Sequence, residues 1–164
     1  MAITVGAMTD SPLKQKLRTD LTASMKARDT DTTATLRMII SAIGAEEVSG
    51  TEAHSLTDEQ VIGVLLRENK KRAESASIYD ENGRGELAAK ERSEAEIISR
   101  YLPTQLDDAG IDTLVADAVA AVAAETGEAP TMRQMGQVMK KVQTAAAGGA
   151  DGKRLSTAVR AALG

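Results

Sequence analysis

The sequence predicts an all-α protein. Apolar residues return every three or four positions along nearly the whole chain, which is the period of a helix face. The composition is rich in alanine, which loses no side-chain entropy in a helix. No segment alternates apolar and polar residues over a strand's length. Apolar residues make up 42% of the chain, enough for a core, but the only aromatics are Tyr79 and Tyr101. The core must therefore be built from Leu, Ile, Val, Ala and Met.

The elements follow in order. Residues 1–10 read as a flexible N-terminus; "MAITVGAMTD" lacks the basic flank and apolar stretch of a signal peptide, and Met8 is an alternative start. Ser11 and Pro12 form a helix start, a capping hydroxyl followed by proline at the first helical position. Leu13, Leu17 and Leu21 stripe that helix to about Arg28, where "DTDTT" breaks it. A second helix spans about 32–48, with Leu36, Ile40 and Ile43 on one face. After the loop "SGTEAHS", Thr57 and Gln60 have the spacing of a capping box. They open a long helix to about Asp80, buried in its first half through Val61, Ile62, Leu65 and Leu66 and charged nearly all round in its second. "ENGRG" turns the chain into a fourth helix, about 86–101.

Pro103 ends that helix, and the break at "YLPTQL" divides the chain into an N-terminal helical domain, 11–102, and a C-terminal three-helix domain, 103–164. Acids at 107 and 108 suit the positive end of the next helix. Its apolar face runs Ile111, Leu114, Val115, Ala118, Val119, Val122, and Gly127 fits its C-terminal cap. Thr131 caps a short helix whose stripe is Met132, Met135, Met139 and Val142. Such a stripe reads as core in preference to an adaptable binding groove. A last helix carries Leu155, Val159, Ala162 and Leu163.

Composition removes several chemistries. Cysteine is absent and His54 is the single histidine, in a polar loop; this excludes disulfides, Ser-His-Asp and Cys-His catalysis and most transition-metal sites. No apolar run approaches the ~18 residues of a membrane span. A cytoplasmic protein without membrane contact, metal or cofactor is expected. The acids at 46–47, 94 and 96, and 107–108 sit on helix surfaces or starts and read as solvated, since a catalytic pair needs burial. The cations Arg67, Lys70, Lys71 and Arg72 interleave with Glu68 and Glu74 and read as surface ion pairing.

Net charge is −4 but uneven: residues 1–127 hold 14 basic and 22 acidic groups, residues 128–164 hold 6 and 2. Any anionic partner would meet the C-terminal part; solvated helix faces are the plainer reading, and the pattern leaves both open. The stretch "AAAGGADGKRLSTAVRAAL" there looks like a phosphate loop but fails the motif, because Gly152-Lys153 is followed by Arg154 and no strand precedes it. It remains a glycine elbow between two helices, with Asp151 placed to cap the second. The chain has no aromatic platform for stacking bases, which argues against RRM or OB recognition.

Three stretches together carry a resemblance: "LTASMKARDTDTTATLRMIISAIGAEEV", "NKKRAESASIYDENGRGELAAKERSEAEIISRYLPTQL" and "MRQMGQVMKKVQTAAAGGADGKRLSTAVRAAL". In order and spacing they resemble the GatB/YqeY family, specifically its small YqeY-like members, from about Leu13 to Leu163. The resemblance implies an N-terminal bundle and a C-terminal module. That module is similar to the tail domain of the GatB component of the tRNA-dependent amidotransferase, where the tail helps hold tRNA. The family's carbon–nitrogen ligase label, with glutamine as amido donor, is inherited by association: this chain shows neither an amidase Ser-Ser-Lys arrangement nor an ATP site. The tail motif maps onto Gly136, Val138, Met139, Gly148, Ala150, Asp151, Gly152 and Lys153. Lys140 stands where the pattern commonly has a small residue, and Gly149 where it often has a basic one; Lys140, Lys141, Lys153 and Arg154 supply other charges.

The resemblance implies a non-catalytic tRNA-binding accessory that contacts phosphates through Lys140, Lys141, Gly148, Gly149, Gly152, Lys153 and Arg154. The alternative is a helical adaptor for an aminoacyl-tRNA synthetase or an amidotransferase component, working through the acidic N-terminal bundle. A free-standing amide-forming enzyme is disfavoured by the poverty of His, Cys and buried acid pairs.

Overall fold

A computed structural model describes residues 10–164; the N-terminal segment expected to be flexible lies outside them except for Asp10. Every regular element among the described residues is helical. Contacts separate the chain into two units that divide between Leu102 and Pro103.

In the first unit, α1 (Pro12–Lys26) starts as its sequence demands: the Ser11 hydroxyl accepts from the Lys14 amide at 3.2 Å, with Pro12 in the first turn. Only Leu17 of the expected stripe is fully buried; Leu13 and Leu21 flank the core while Lys14 and Ser24 are buried. Arg28 takes a left-handed φ of 58° at the turn. Helix α2 (Thr30–Glu47) begins earlier than expected because Asp29, read as part of a break, caps it by accepting from the Thr32 amide. Helix α3 (Asp58–Glu81) carries the Thr57/Gln60 capping box in full. Helix α4 (Gly85–Ser99) returns along it. Leu17, Leu36, Ile39, Ile43, Val61, Val64, Leu65 and Ile98 form the core. Val64 is buried where Ile62 and Leu66 were expected, so α3 is rotated by part of a turn from the reading of its pattern.

The second unit packs α5 (Asp108–Thr126), α6 (Met135–Ala146) and α7 (Gly152–Leu163) around Ile111, Val115, Ala118, Val122, Val138, Val142, Leu155 and Val159. Asp107 caps α5 through the Gly110 amide at 2.8 Å, and Gly127 closes it at φ 77°. Thr131 caps a 3-10 turn (Met132–Gln134) that leads into α6. The expected stripe holds in part: Val142 is buried with Val138 and Ala146, Met135 and Met139 pack against this core, and Met132, in the turn before α6, is exposed. Ala162, expected on the buried face of α7, is exposed near its end.

Candidate nucleic-acid interface

The elbow between α6 and α7 is built from two left-handed residues and one close approach. Ala147 (φ 47°) and Gly148 (φ 84°) reverse the chain after α6. The Gly149 carbonyl then accepts from the Leu106 amide at 2.7 Å, and its own amide donates to Ala146 at 2.8 Å. A Cβ at Gly149 would meet the Ala146 carbonyl at 3.0 Å, Leu106 Cγ at 3.1 Å and the Thr104 carbonyl at 3.2 Å. Glycine at 149 therefore admits the chain's own 104–106 segment; it is buried, and that occupies the approach expected of an RNA backbone. Gln105 Nε2 donates to the Gly148 carbonyl at 3.1 Å, tightening the same junction. Asp151 caps α7 by accepting from the Arg154 amide at 2.9 Å, as its place in the sequence predicts.

The cations sort by partner. Arg154 donates from Nη1 to the Leu106 carbonyl (3.1 Å) and from Nη2 to Asp108 (3.0 Å), so its guanidinium joins α7 to the start of α5. Lys141 holds Glu125 of α5 at 2.7 Å. Lys140 and Lys153 are exposed and pair with no carboxylate among the described residues; Gly152 is exposed and Gly148 partly so. The expected set is also divided in space. Lys140 and Lys141 line a groove of about 590 Å³ beside α5 and α6, whereas Lys153 and Arg154 line one of about 340 Å³ beside α5 and α7. Arg160, outside the expected set, is exposed and unpaired among the described residues, seven positions or two helical turns from Lys153.

The N-terminal unit corrects the reading of its charges as surface groups. Glu47 is buried and holds the buried Lys14 at 2.5 Å, while Asp10 holds the same ammonium at 3.0 Å. Burial alone would lower the Lys14 pKa; the hydrogen bonds to Glu47 and Asp10 override it and raise it. Arg72 is buried between Glu68 (2.9 Å) and Glu94 (3.1 Å), joining α3 to α4. Burial would raise the Glu68 carboxyl, but Arg72 and Lys71 hold it below the ordinary value. Tyr101 donates to Asp20 at 2.6 Å; burial, then this bond, push its phenol up. Lys16 stands 5.4 Å above the same ring, within cation–π range. These acids are paired with cations or accept a hydrogen bond from a hydroxyl, an arrangement that holds helices together. Among the described residues no group of three or more His, Asp or Glu is placed to hold a metal ion, and no helix is long and apolar enough to cross a membrane.

The profile of the YqeY-like protein family matches residues 14–163. The chain belongs to this family. Its relatives include "Altered inheritance of mitochondria protein 41, mitochondrial" of Meyerozyma guilliermondii, 28% identical over 74% of this chain and 64% of that protein. The protein of the same name from Clavispora lusitaniae is 31% identical over 58% of this chain and 56% of its own length. An uncharacterized protein of Schizosaccharomyces pombe is 32% identical over 56% and 72%. The chain thus spans about 60% of the length of the two mitochondrial relatives. For this YqeY-like chain, the family match runs from the first turn of α1 to the end of α7 and takes in the elbow.

Proposed function

We propose that this YqeY-like protein is a non-catalytic tRNA-binding accessory whose C-terminal three-helix unit contacts RNA phosphates. What supports the reading is the sorting of charge by helix. Helices α6 and α7 contain Lys140, Lys141, Lys153, Arg154 and Arg160 and no acid, while α5 and its cap hold Asp107, Asp108, Asp112, Asp117 and Glu125. Segregation of this kind leaves one basic side on a unit that is nearly neutral in sum, which suits contact with a polyanion. The unit has no aromatic residue, so contact would be to backbone and shape and not to stacked bases. Any amidotransferase chemistry then belongs to a partner. The reading puts the chain where translation is carried out, either in the cytoplasm or in mitochondria, the organelle that two relatives' names print.

Fluorescence anisotropy of labelled bulk tRNA with the full chain tests this: binding at low salt that weakens steeply as salt rises is expected. Absence of binding at low salt sinks it. One observation favours a second reading as a protein adaptor: Ile78 and Leu87, at the turn end of the α3–α4 hairpin, are 57% and 38% exposed. Association with a synthetase or an amidotransferase component that survives nuclease and is lost in Ile78→Glu would select it.

A further inference from the structure

We infer that two copies of this protein pair side by side and antiparallel along the outward face of α3. Arg67, Lys70 and Lys71 of each copy then lie against Glu74, Ile78 and Glu81 of the other. This pairing uses the N-terminal unit and does not depend on RNA contact.

Helix α3 has 24 residues, about 36 Å of length. The apolar cluster of its unit takes in only Val61, Val64 and Leu65 of it. Beyond Leu65 its buried residues are Arg72 and Ala76. At about 100° per residue, the six pairing residues fall in one band about 100° wide, opposite the line through Leu65, Arg72 and Ala76. They recur every three or four positions, the spacing of a seam between helices. All six are exposed, and Ile78 keeps 57% of its surface, which leaves the band uncovered among the described residues.

The sign of charge switches halfway along this band. Its first half is cationic; its second half, toward the hairpin turn, holds Glu74 and Glu81 and no cation. Arg67 and Lys71 have carboxylates nearby, Glu46 at 3.4 Å and Glu68 at 3.3 Å, but each cation is more than half exposed and such pairs are held weakly. Lys70, Glu74 and Glu81 have no charged partner among the described residues. The last turn of α3 contains Asp80 and Glu81 and no base, against the preference of a helix's negative end for cations. Asp80 is taken by Arg92 of α4; Glu81 is not. An antiparallel copy brings its own cations to this end.

With a two-fold axis crossing the band between Arg72 and Ala73, Lys71 of one copy faces Glu74 of the other, and the same pair repeats across the axis. Arg67 comes over Ile78, which its aliphatic stem covers while its guanidinium reaches toward Glu81. A parallel pairing would oppose like charges and is repulsive. Two helices touching along about 21 Å make an interface at the small end of the specific range, so the dimer is weak and concentration-dependent.

Sedimentation velocity of the full-length chain tests this, in a concentration series to about 1 mM. It is run at about 10 mM salt, where charges act over about 30 Å, and at about 1 M, where they act over about 3 Å. The wild type is expected to dimerise at low salt and to dissociate at high salt. Two variants give the band one sign throughout: R67E/K70E/K71E makes it acidic, E74K/E81K makes it basic. Each alone is expected to self-associate more weakly by about tenfold or more, and their equimolar mixture to form a heterodimer. Ile78→Ser changes no charge; it is expected to weaken the wild-type dimer and serves if the reversed variants fold poorly. A wild type that stays monomeric at low salt over the whole series overturns the pairing, and so does one whose Ile78 is instead covered by a different protein. Reversed variants that dimerise as well as the wild type overturn this face. Monomeric variants whose mixture does not reassemble overturn the antiparallel match of charges.

Discussion

Replacing Glu47 by alanine should unfold the N-terminal unit at markedly lower denaturant. The Lys14 side chain is 5% exposed and Glu47 11% exposed, so the ammonium is left in a nearly dry site. Removing one partner of a buried ion pair costs about 3–5 kcal/mol, because the other charge stays behind uncompensated. Asp10 remains at 3.0 Å and is itself partly solvated, which offsets part of that. The Leu56 amide, which donates to Glu47 Oε2 at 3.2 Å, loses its acceptor and adds about 1 kcal/mol. The net loss is about 3 kcal/mol, which at a urea slope of about 1.5 kcal/mol/M moves the midpoint down by about 2 M. Tyrosine fluorescence reads this unit alone, since Tyr79 and Tyr101 both precede Pro103. The Lys14→Met/Glu47→Leu double variant removes both charges and should recover most of the loss, apart from the orphaned amide. A Glu47→Ala loss below about 1 kcal/mol, the range of a solvated surface pair, would refute the reasoning.

The same ammonium predicts a pH dependence. Its folded pKa is raised, so its contribution is complete below the ordinary lysine value of 10.5 and is lost as pH rises through the folded value. Urea midpoints followed by tyrosine fluorescence on either side of that value should therefore fall on the alkaline side in the wild type and much less in Lys14→Met. Gly149→Ala should destabilise the C-terminal unit by about 1–3 kcal/mol, because two of the three atoms its Cβ meets are backbone carbonyls and cannot move aside. Amide exchange in α6 and α7 would quicken while tyrosine-monitored unfolding stays put; unchanged exchange would show that the junction yields.

Helix starts were legible because a cap is a local event. The Ser11–Pro12 start, the Thr57/Gln60 box, Gly127 and Asp151 all act within four residues of themselves, and each does what its spacing predicts. The absence of strands among the described residues and the break before Pro103 rest on periodicity and a missing amide donor, equally local properties. What escaped was everything that depends on a partner distant in sequence. Lys14 and Glu47 are 33 residues apart, Arg72 and Glu94 are 22 apart, and each reads as a surface charge until the fold buries both members. The same holds in the candidate interface. Lys140, Lys141, Lys153 and Arg154 look equivalent along the chain, yet only the packing of α5 against one flank of α6 and α7 decides which charges are taken by its acids. Gly149, which the sequence offered to a ligand, is claimed by the 104–106 backbone, while Gly136 is left open. Local capping and helical period, which depend on near neighbours alone, settled the helices. Which charges remain free to meet a partner depends on what lies across the bundle, and that is a property of the tertiary structure.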